Sequence, residues 1–456
     1  MISDTVLKTL TSIVGAENIA VDEAALAAYA YDATRLKGVP EVVVRPGNEG
    51  EVARIMALAS QYEIPVVPRG AGSGLTGGAV ASKGGIVLSF ERMARILNID
   101  TANRNATIEP GVVTGELQKA VEAVGLFYPP DPGSLAFCTM GGNVAENAGG
   151  MRALKYGVTR DYVIGLRAIL PDGSVIKTGV KTAKGVVGYD LTRLIVGSEG
   201  TLAVVTEITV RLIPKPESVV TMTALFKDPS EAGMAVAAIM ASPVTPRCME
   251  FMDAEALKAG ASHSGMKLPD DAGAFLLIET DGNPGEATRQ ANVIRDIVEP
   301  RALSFSVASG LDEATALWKL RRSTSQALFS LAPDKINEDT VVPVSRVPEA
   351  LAGFGEIGKR HGLKVVCFGH AGDGNIHVNV MTDRKDAAKY AEAEAAVVEV
   401  FELVLKLGGT ISGEHGIGLT KAPYLRMEMS EAEVEQLKRI KAAFDPLGIM
   451  NPGKIF

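Results

Sequence analysis

Pro68-Arg69-Gly70-Ala71-Gly72-Ser73-Gly74-Leu75-Thr76-Gly77-Gly78 follows the apolar run Ile64–Val67. Five glycines in these eleven residues remove Cβ atoms from the backbone, so successive N–H groups can turn toward one concavity and hold a phosphate. Gly72-x-Gly74-x-x-Gly77 satisfies the dinucleotide-binding expression, but Gly-Gly-Ala-Val-Ala-Ser-Lys-Gly-Gly follows where the phosphate-binding helix of a βαβ unit should begin. NAD in a Rossmann domain is therefore disfavoured. Two further stretches are of the same kind: Asp131–Ser134 with Gly141-Gly142-Asn-Val-Ala-Glu-Asn147-Ala-Gly-Gly150, and Gly197-Ser-Glu199-Gly200-Thr201. Any one alone is a tight turn. Three in one 215-residue unit point to a large ligand with an extended, phosphate-containing body.

Working outward, residues 1–35 read as a helical lead-in. Short β-runs follow at 41–46, 64–70, 85–90 and 105–112, with helices over 51–62 and 115–125. Further β-runs are expected at 163–173, 175–179, 191–200 and 202–214, with Pro171-Asp-Gly173 as a hairpin turn. Pro214-Lys-Pro216 marks a boundary. Beyond it, β-runs at 219–226, 248–253, 274–282 and 303–309 with intervening helices predict a second α+β unit with antiparallel pairing. Helices are expected over 314–330, 346–362 and 391–407, the last with Val397, Val400, Phe401, Val404 and Leu405 on one face.

The 456 residues carry 46 Lys+Arg against 54 Asp+Glu, a formal charge of −8, and are 46% apolar. That is enough to fill two or three cores, and it excludes disorder, collagen and a small disulfide scaffold. An acidic balance without a basic stripe argues against nucleic acid. Cys138, Cys248 and Cys367 form no CxxC, so no disulfide framework, zinc cage or iron–sulfur relay is expected, and each reads as a buried apolar residue. No signal peptide or long apolar run is present, which predicts a cytoplasmic protein, at most peripheral to the inner face of a membrane.

Three of the five histidines fall in Phe368-Gly-His370-Ala-Gly-Asp-Gly-Asn-Ile-His377-Val-Asn379 and Ser412-Gly-Glu414-His415-Gly-Ile-Gly418. Strand alternation puts His377 and Asn379 on one face, and the short turn can return His370 beside His377. Two imidazoles with one carboxylate suit zinc or manganese. Glu414 and His415, being adjacent, point apart and can divide two roles. HExxH is absent, so a zincin protease is not supported.

Taken in order, PRGAGSGLTGG, GGNVAENAGGMRALKYG, DYVIGLRAILPDG, GSEGTLAVVTEITVRLIPKP, GHAGDGNIH, SGEHGIG and the terminal NPGK resemble the FAD-linked D-2-hydroxyacid dehydrogenases of the vanillyl-alcohol oxidase / p-cresol methylhydroxylase (PCMH) superfamily, from about residue 30 to the end. The resemblance implies an α+β fold: a PCMH-type FAD-binding domain of two subdomains over 1–215, an α+β substrate or cap domain with an antiparallel sheet over 216–410, and a segment 411–456 returning to the FAD domain. It implies that Arg69, Gly70, Ala71, Gly72, Ser73, Gly74, Thr76, Ser134, Gly142, Asn147, Gly150, Glu199, Gly200 and Ile208 line FAD, with Asn451 closing over it. No histidine precedes His263, so the FAD is expected to be dissociable. It further implies His370, His377 and Glu414 as ligands of a divalent metal, His415 as general base, and Ser325 and Asn379 as substrate contacts.

Oxidation of a 2-hydroxy acid removes a hydride from Cα and a proton from the hydroxyl, and a metal with a base of pKa near 6.5 makes that proton removable. The substrate carboxylate needs a cation. Arg321, with its planar fork, is the first choice and Lys335 the second. D-lactate is the expected substrate, with glycolate and D-2-hydroxyglutarate as alternatives. Electrons are expected to pass to a separate quinone, cytochrome, electron-transferring flavoprotein or iron–sulfur subunit, and a homodimer is the candidate assembly. A metal-dependent hydrolase and a non-catalytic flavin-binding subunit are the readings from other classes.

Overall fold

Ser3 accepts from Val6 N–H and opens the helix Asp4–Val14, whose Val6, Leu10 and Val14 recur at helical spacing and are buried. They join Val52, Ile55, Met56 and Ala59 of the helix Glu49–Gln61 in a core on the first sheet. A computed structural model describes residues 2–265, 269 and 271–456. The chain forms two units, one from Met1–Gly149, Gly157–Lys215 and Glu414–Phe456, the other from Gly150–Tyr156 and Pro216–Gly413. The breaks therefore fall after 149, 156, 215 and 413, where the sequence suggested 215 and 410.

The first unit contains β1 (Ile19–Ala20), β2 (Val42–Val44), β3 (Val66–Arg69) and β4 (Ile86–Ser89), ordered β1-β2-β4-β3. β2, β4 and β3 are parallel and nearly all apolar, as strands covered on both faces must be. β1 pairs antiparallel with β2 inside the lead-in expected to be helical. The second sheet joins β5 (Ile96–Asp100), β6 (Asn105–Ile108), β8 (Val163–Ile169), β9 (Val175–Gly179) and β10 (Val204–Arg211) in the order β5-β6-β10-β8-β9. β7 (Leu126–Phe127) and β11 (Ile213–Pro214) form a small separate pair. The hairpin at Pro171–Gly173 joins β8 to β9.

Residues 191–195, expected as strand, are helix Leu191–Ile195: Asp190 accepts from Arg193 N–H at 3.0 Å and caps the turn despite the apolar run behind it. Gly141–Glu146, expected as loop, lie in the helix Met140–Glu146, which ends at Asn147 with φ +53°. Asparagine tolerates that left-handed stop.

The second unit is built on one antiparallel sheet, β15-β12-β14-β13-β17-β18-β16, from β12 (Ser218–Phe226), β13 (Cys248–Asp253), β14 (Ala274–Gly282), β15 (Ser304–Val307), β16 (Asp334–Val341), β17 (Val365–His370) and β18 (Asn375–Thr382). Met252, Leu277, Val366 and Phe368 of the sheet pack against Leu257, Leu317 and Leu320 of the helices Ala254–Ser264 and Leu311–Ala327. The helix Ala387–Lys406 buries Val397, Val400, Phe401 and Val404; Leu405 is half-buried. All three cysteines are buried and unbridged. Among the described residues no helix is long and apolar enough to cross a membrane.

Candidate functional site

In the first unit the glycine-rich stretches converge. β3 delivers the chain into residues 70–78, where Gly72 (φ +66°) and Gly77 (φ +84°) take left-handed backbone that a side chain would strain. Arg69 curls back inside this loop, donating to Ala79 C=O at 3.2 Å. Gly70 faces Thr139, and a Cβ on Gly78 would lie 2.6 Å from Glu146 Oε1. The third stretch hangs on the same short helix, with Gly197 and Glu199 N–H donating to Val144 and Ala145 C=O, each at 2.8 Å.

The segment after residue 413 is stitched to these loops. Thr76 Oγ1 donates to His415 C=O at 3.2 Å, and Leu419 N–H donates to Thr76 C=O at 2.7 Å. Glu199 accepts Ile417 and Gly418 N–H at 2.7 Å each. Asn451 then bonds Gly78 C=O at 2.9 Å and Glu199 C=O at 2.7 Å, tying the first loop to the third. Burial raises the carboxyls of both Glu146 and Glu199. The two N–H donors oppose that rise at Glu199, while the nearby Glu199 carboxylate adds to it at Glu146. Ser134 lies in a turn whose Phe137 N–H it accepts, and Ile208 is buried in β10 opposite Ile108 and Leu166. Gly150 opens the excursion that belongs to the second unit.

In the second unit, strand register assembles a polar cluster on one sheet face. Phe368 pairs with His377, and His377 with Asp339. The turn between β17 and β18 brings the His370 and His377 rings to 5.2 Å, with ring nitrogens within 4.8 Å of each other. His370 Nδ1 lies 2.7 Å from Glu250 Oε1, and Arg321 Nη2 lies 2.6 Å from Glu250 Oε2. Burial pushes the Glu250 carboxyl up, but His370 and Arg321 outweigh it and hold it below the ordinary range. Arg321 also stacks over Phe368 at 4.9 Å, and its Nε is buried without a partner. Lys335 donates to Ser325 C=O and Oγ at 3.0 and 2.9 Å, and burial lowers its pKa to about 8. Asn379 is fully buried, its amide spent on Val366 and His377 C=O, leaving Oδ1 without a partner. Asp339 accepts from Asn375 Nδ2 at 2.6 Å and from Gly413 N–H at 2.9 Å.

Residues 40–179 match the FAD binding domain model, and residues 215–455 match that of FAD linked oxidases, C-terminal domain. The chain belongs to the FAD-linked oxidase family. It is 44% identical to glycolate oxidase subunit GlcD of Bacillus subtilis over 100% of this chain and 97% of that one. It is 35% identical to the D-lactate dehydrogenase of Anaerostipes hadrus, over 92% and 90%. The fold is that of p-cresol methylhydroxylase solved with substrate bound, at a TM-score of 0.80 and 16% identity, covering 99% of this chain and 96% of that one.

In this FAD-linked oxidase the cradle's residues fit the cofactor. Thr139 Oγ1, Glu146 Oε2, Ser198 Oγ and Asn451 Oδ1 are buried around the glycine loops without hydrogen-bond partners, the donors and acceptors that a pyrophosphate and a flavin edge require. The donor set of the second unit equally fits a divalent cation. Its histidine pair is close enough to share one, and the Glu250 bond on His370 Nδ1 directs the ring's lone pair to Nε2. Sequence reasoning missed Glu250, Asp339 and Glu146. Glu250 did leave a signal, as the single charge inside the otherwise apolar stretch Cys-Met-Glu-Phe-Met.

Proposed function

We propose that the protein oxidises a small D-2-hydroxy acid, D-lactate first and glycolate next, to the 2-oxo acid. The observation that carries this reading is the course of Ser412–Gly418. At one end Gly413 N–H is bonded to Asp339, the register partner of His377; at the other His415 C=O is bonded to Thr76 of the first glycine loop. Glu414 and His415 thus open the last segment of the first unit, directly after Gly413 of the second. The similarity to a glycolate oxidase subunit and to a D-lactate dehydrogenase supports the same chemistry.

Bound FAD supplies the two-electron acceptor, and a divalent cation held by His370, His377 and Glu414 supplies charge that favours the ionised hydroxyl. The chain's own groups do the rest. His415 takes the hydroxyl proton, the task for which an imidazole is the most common general base. Arg321 Nε and Lys335 hold the substrate carboxylate; Ser325 places Lys335, and Asn379 Oδ1 accepts from the substrate. With three isolated buried cysteines the chain has no iron–sulfur relay of its own, so electrons leave for a separate acceptor of the quinone, cytochrome, flavoprotein or iron–sulfur class.

Anaerobic titration of the yellow protein tests the reading. D-lactate should bleach the flavin and L-lactate should not, with glycolate as the competing substrate. His415→Ala should stay yellow and fail to bleach, and His377→Ala should lose metal and activity together. A colourless protein that hydrolyses phosphorylated substrates would replace the oxidoreductase reading with the hydrolase one.

A further inference from the structure

We propose that Glu250 is a positioning residue that ties the arginine holding the substrate carboxylate to the histidine holding the cation. The proposal deepens the function above and rests on it. β13 is apolar on both sides of Glu250, with Cys248, Met249, Phe251 and Met252 all buried. A carboxylate in such a strand is costly unless each oxygen has a matched partner.

Here Oε1 is hydrogen-bonded and Oε2 is ion-paired. Oε1 meets His370 Nδ1 at 2.7 Å, and Oε2 meets Arg321 Nη2 at 2.6 Å. Both matches follow from register and packing. Phe251 opposes Gly369 and Met252 opposes Phe368, so alternation puts Glu250 on the face of Phe368 and His370, at the His370 end. Arg321 reaches the same carboxylate from the helix Leu311–Ala327, its guanidinium lying over Phe368.

One buried carboxylate therefore fixes two orientations. It holds His370 in the Nδ1–H form, so that coordination passes through Nε2, and it fixes the Nη2 end of the Arg321 guanidinium, so that its remaining N–H groups are presented in one orientation. A cation on His370 makes Nδ1–H a stronger donor to Glu250, and the two binding events become linked through it. A structural carboxylate that only filled space would not link them.

The test uses full-length, FAD-loaded protein and Glu250→Gln, which keeps the shape and removes the charge. Binding of Mn²⁺ alone, measured by chelator competition, should weaken roughly 10–100-fold, the usual effect of removing such an outer partner. KM for D-lactate should rise at least as much as kcat falls, while flavin content and Trp318 emission stay as in the wild type. In metal-free protein, ¹⁵N-resolved imidazole spectra should show His370 as Nδ1–H in the wild type and as a tautomer mixture in the variant. Unchanged Mn²⁺ affinity together with an unchanged tautomer would overturn the proposal. If the wild type binds no divalent cation, the metal part of the proposed function fails, and Glu250 is then judged on the tautomer and on KM alone. Should Glu250→Gln not fold, Glu250→Asp, which shortens the arm by one methylene, must move the same three readouts in the same direction or the proposal is wrong.

Discussion

Gly416 stands where two carboxylates meet. It has φ +87°, and a Cβ there would lie 2.7 Å from Glu146 Oε2 and 3.0 Å from Glu199 Oε1. Gly416→Ala should therefore displace the loop that carries His415 and lower the flavin retained on purification several-fold. Gly133→Ala, with nothing within 4 Å of its Cβ, should retain it fully. Flavin-to-protein absorbance ratios decide this, and equal ratios would remove Gly416 from the cradle. Asp253 supplies a pH test. Burial raises its carboxyl from 3.8 to about 7, although Ala256 and Cys367 N–H donate to it. Between those values the unfolded chain is ionised while the folded one holds the proton. This contribution is full below the unfolded value and is lost as pH rises to about 7, at ~1.4 kcal/mol per pH unit. Asp253→Asn cannot ionise, so from pH 4.5 to 7.5 its urea stability should gain on the wild type by roughly 3 kcal/mol. A constant difference would mean that the two N–H donors keep Asp253 charged. The histidine pair was legible in the sequence because seven residues of strand–turn–strand are local. Glu250 lies 120 residues from His370, and only the long-range pairing of β13 with β17 brings the two together.

At the scale of elements, the helix Leu311–Ala327 carries Arg321 and Ser325 and also Trp318, the chain's one tryptophan. Trp318 Nε1 donates to Glu279 Oε1 at 2.6 Å, and Thr221 Oγ1 donates to the same atom at 3.0 Å. Glu279 on β14 thereby anchors the middle of the helix to the sheet. Glu279→Leu leaves the indole N–H and the buried Arg247, 3.4 Å from the carboxylate, without that acceptor. Removing one partner of a buried charged network destabilises by ~3 kcal/mol or more. The urea midpoint followed by Trp318 emission should fall, and the native emission should shift to longer wavelength as the helix loosens. Unaltered emission would place the anchor elsewhere. This helix was legible from its spacing. Leu191–Ile195 was misread because its apolar run outweighed one capping aspartate, and Met140–Glu146 because two glycines in its first turn look like loop.

At the scale of the whole molecule, the first unit is closed by its last residues. Val66 N–H donates to Ile449 C=O, and Asn451 N–H returns to Val66 C=O, each at 2.8 Å, so β3 is flanked by chain from nearly 400 positions later. The family pattern in the sequence anticipated a return to the FAD domain. The excursion Gly150–Tyr156 into the second unit, where Lys155 and Tyr156 bond Asp281, left no local signal because its partner lies 125 residues away. Asn451 makes the closure testable. Its φ is +40°, which alanine accommodates poorly, and its amide serves the carbonyls of Gly78 and Glu199. Asn451→Ala leaves two buried carbonyls without that donor, at ~1–3 kcal/mol each. Flavin retention and the thermal midpoint should both fall. The urea transition reported by Trp318, in the other unit, should move less than in Glu279→Leu. Asn451→Asp keeps the backbone preference but loses both donors, so it should share most of the loss. If Asn451→Asp instead retains flavin like the wild type, the left-handed turn at 451, and not the bridge between loops 78 and 199, is what closes the cofactor unit.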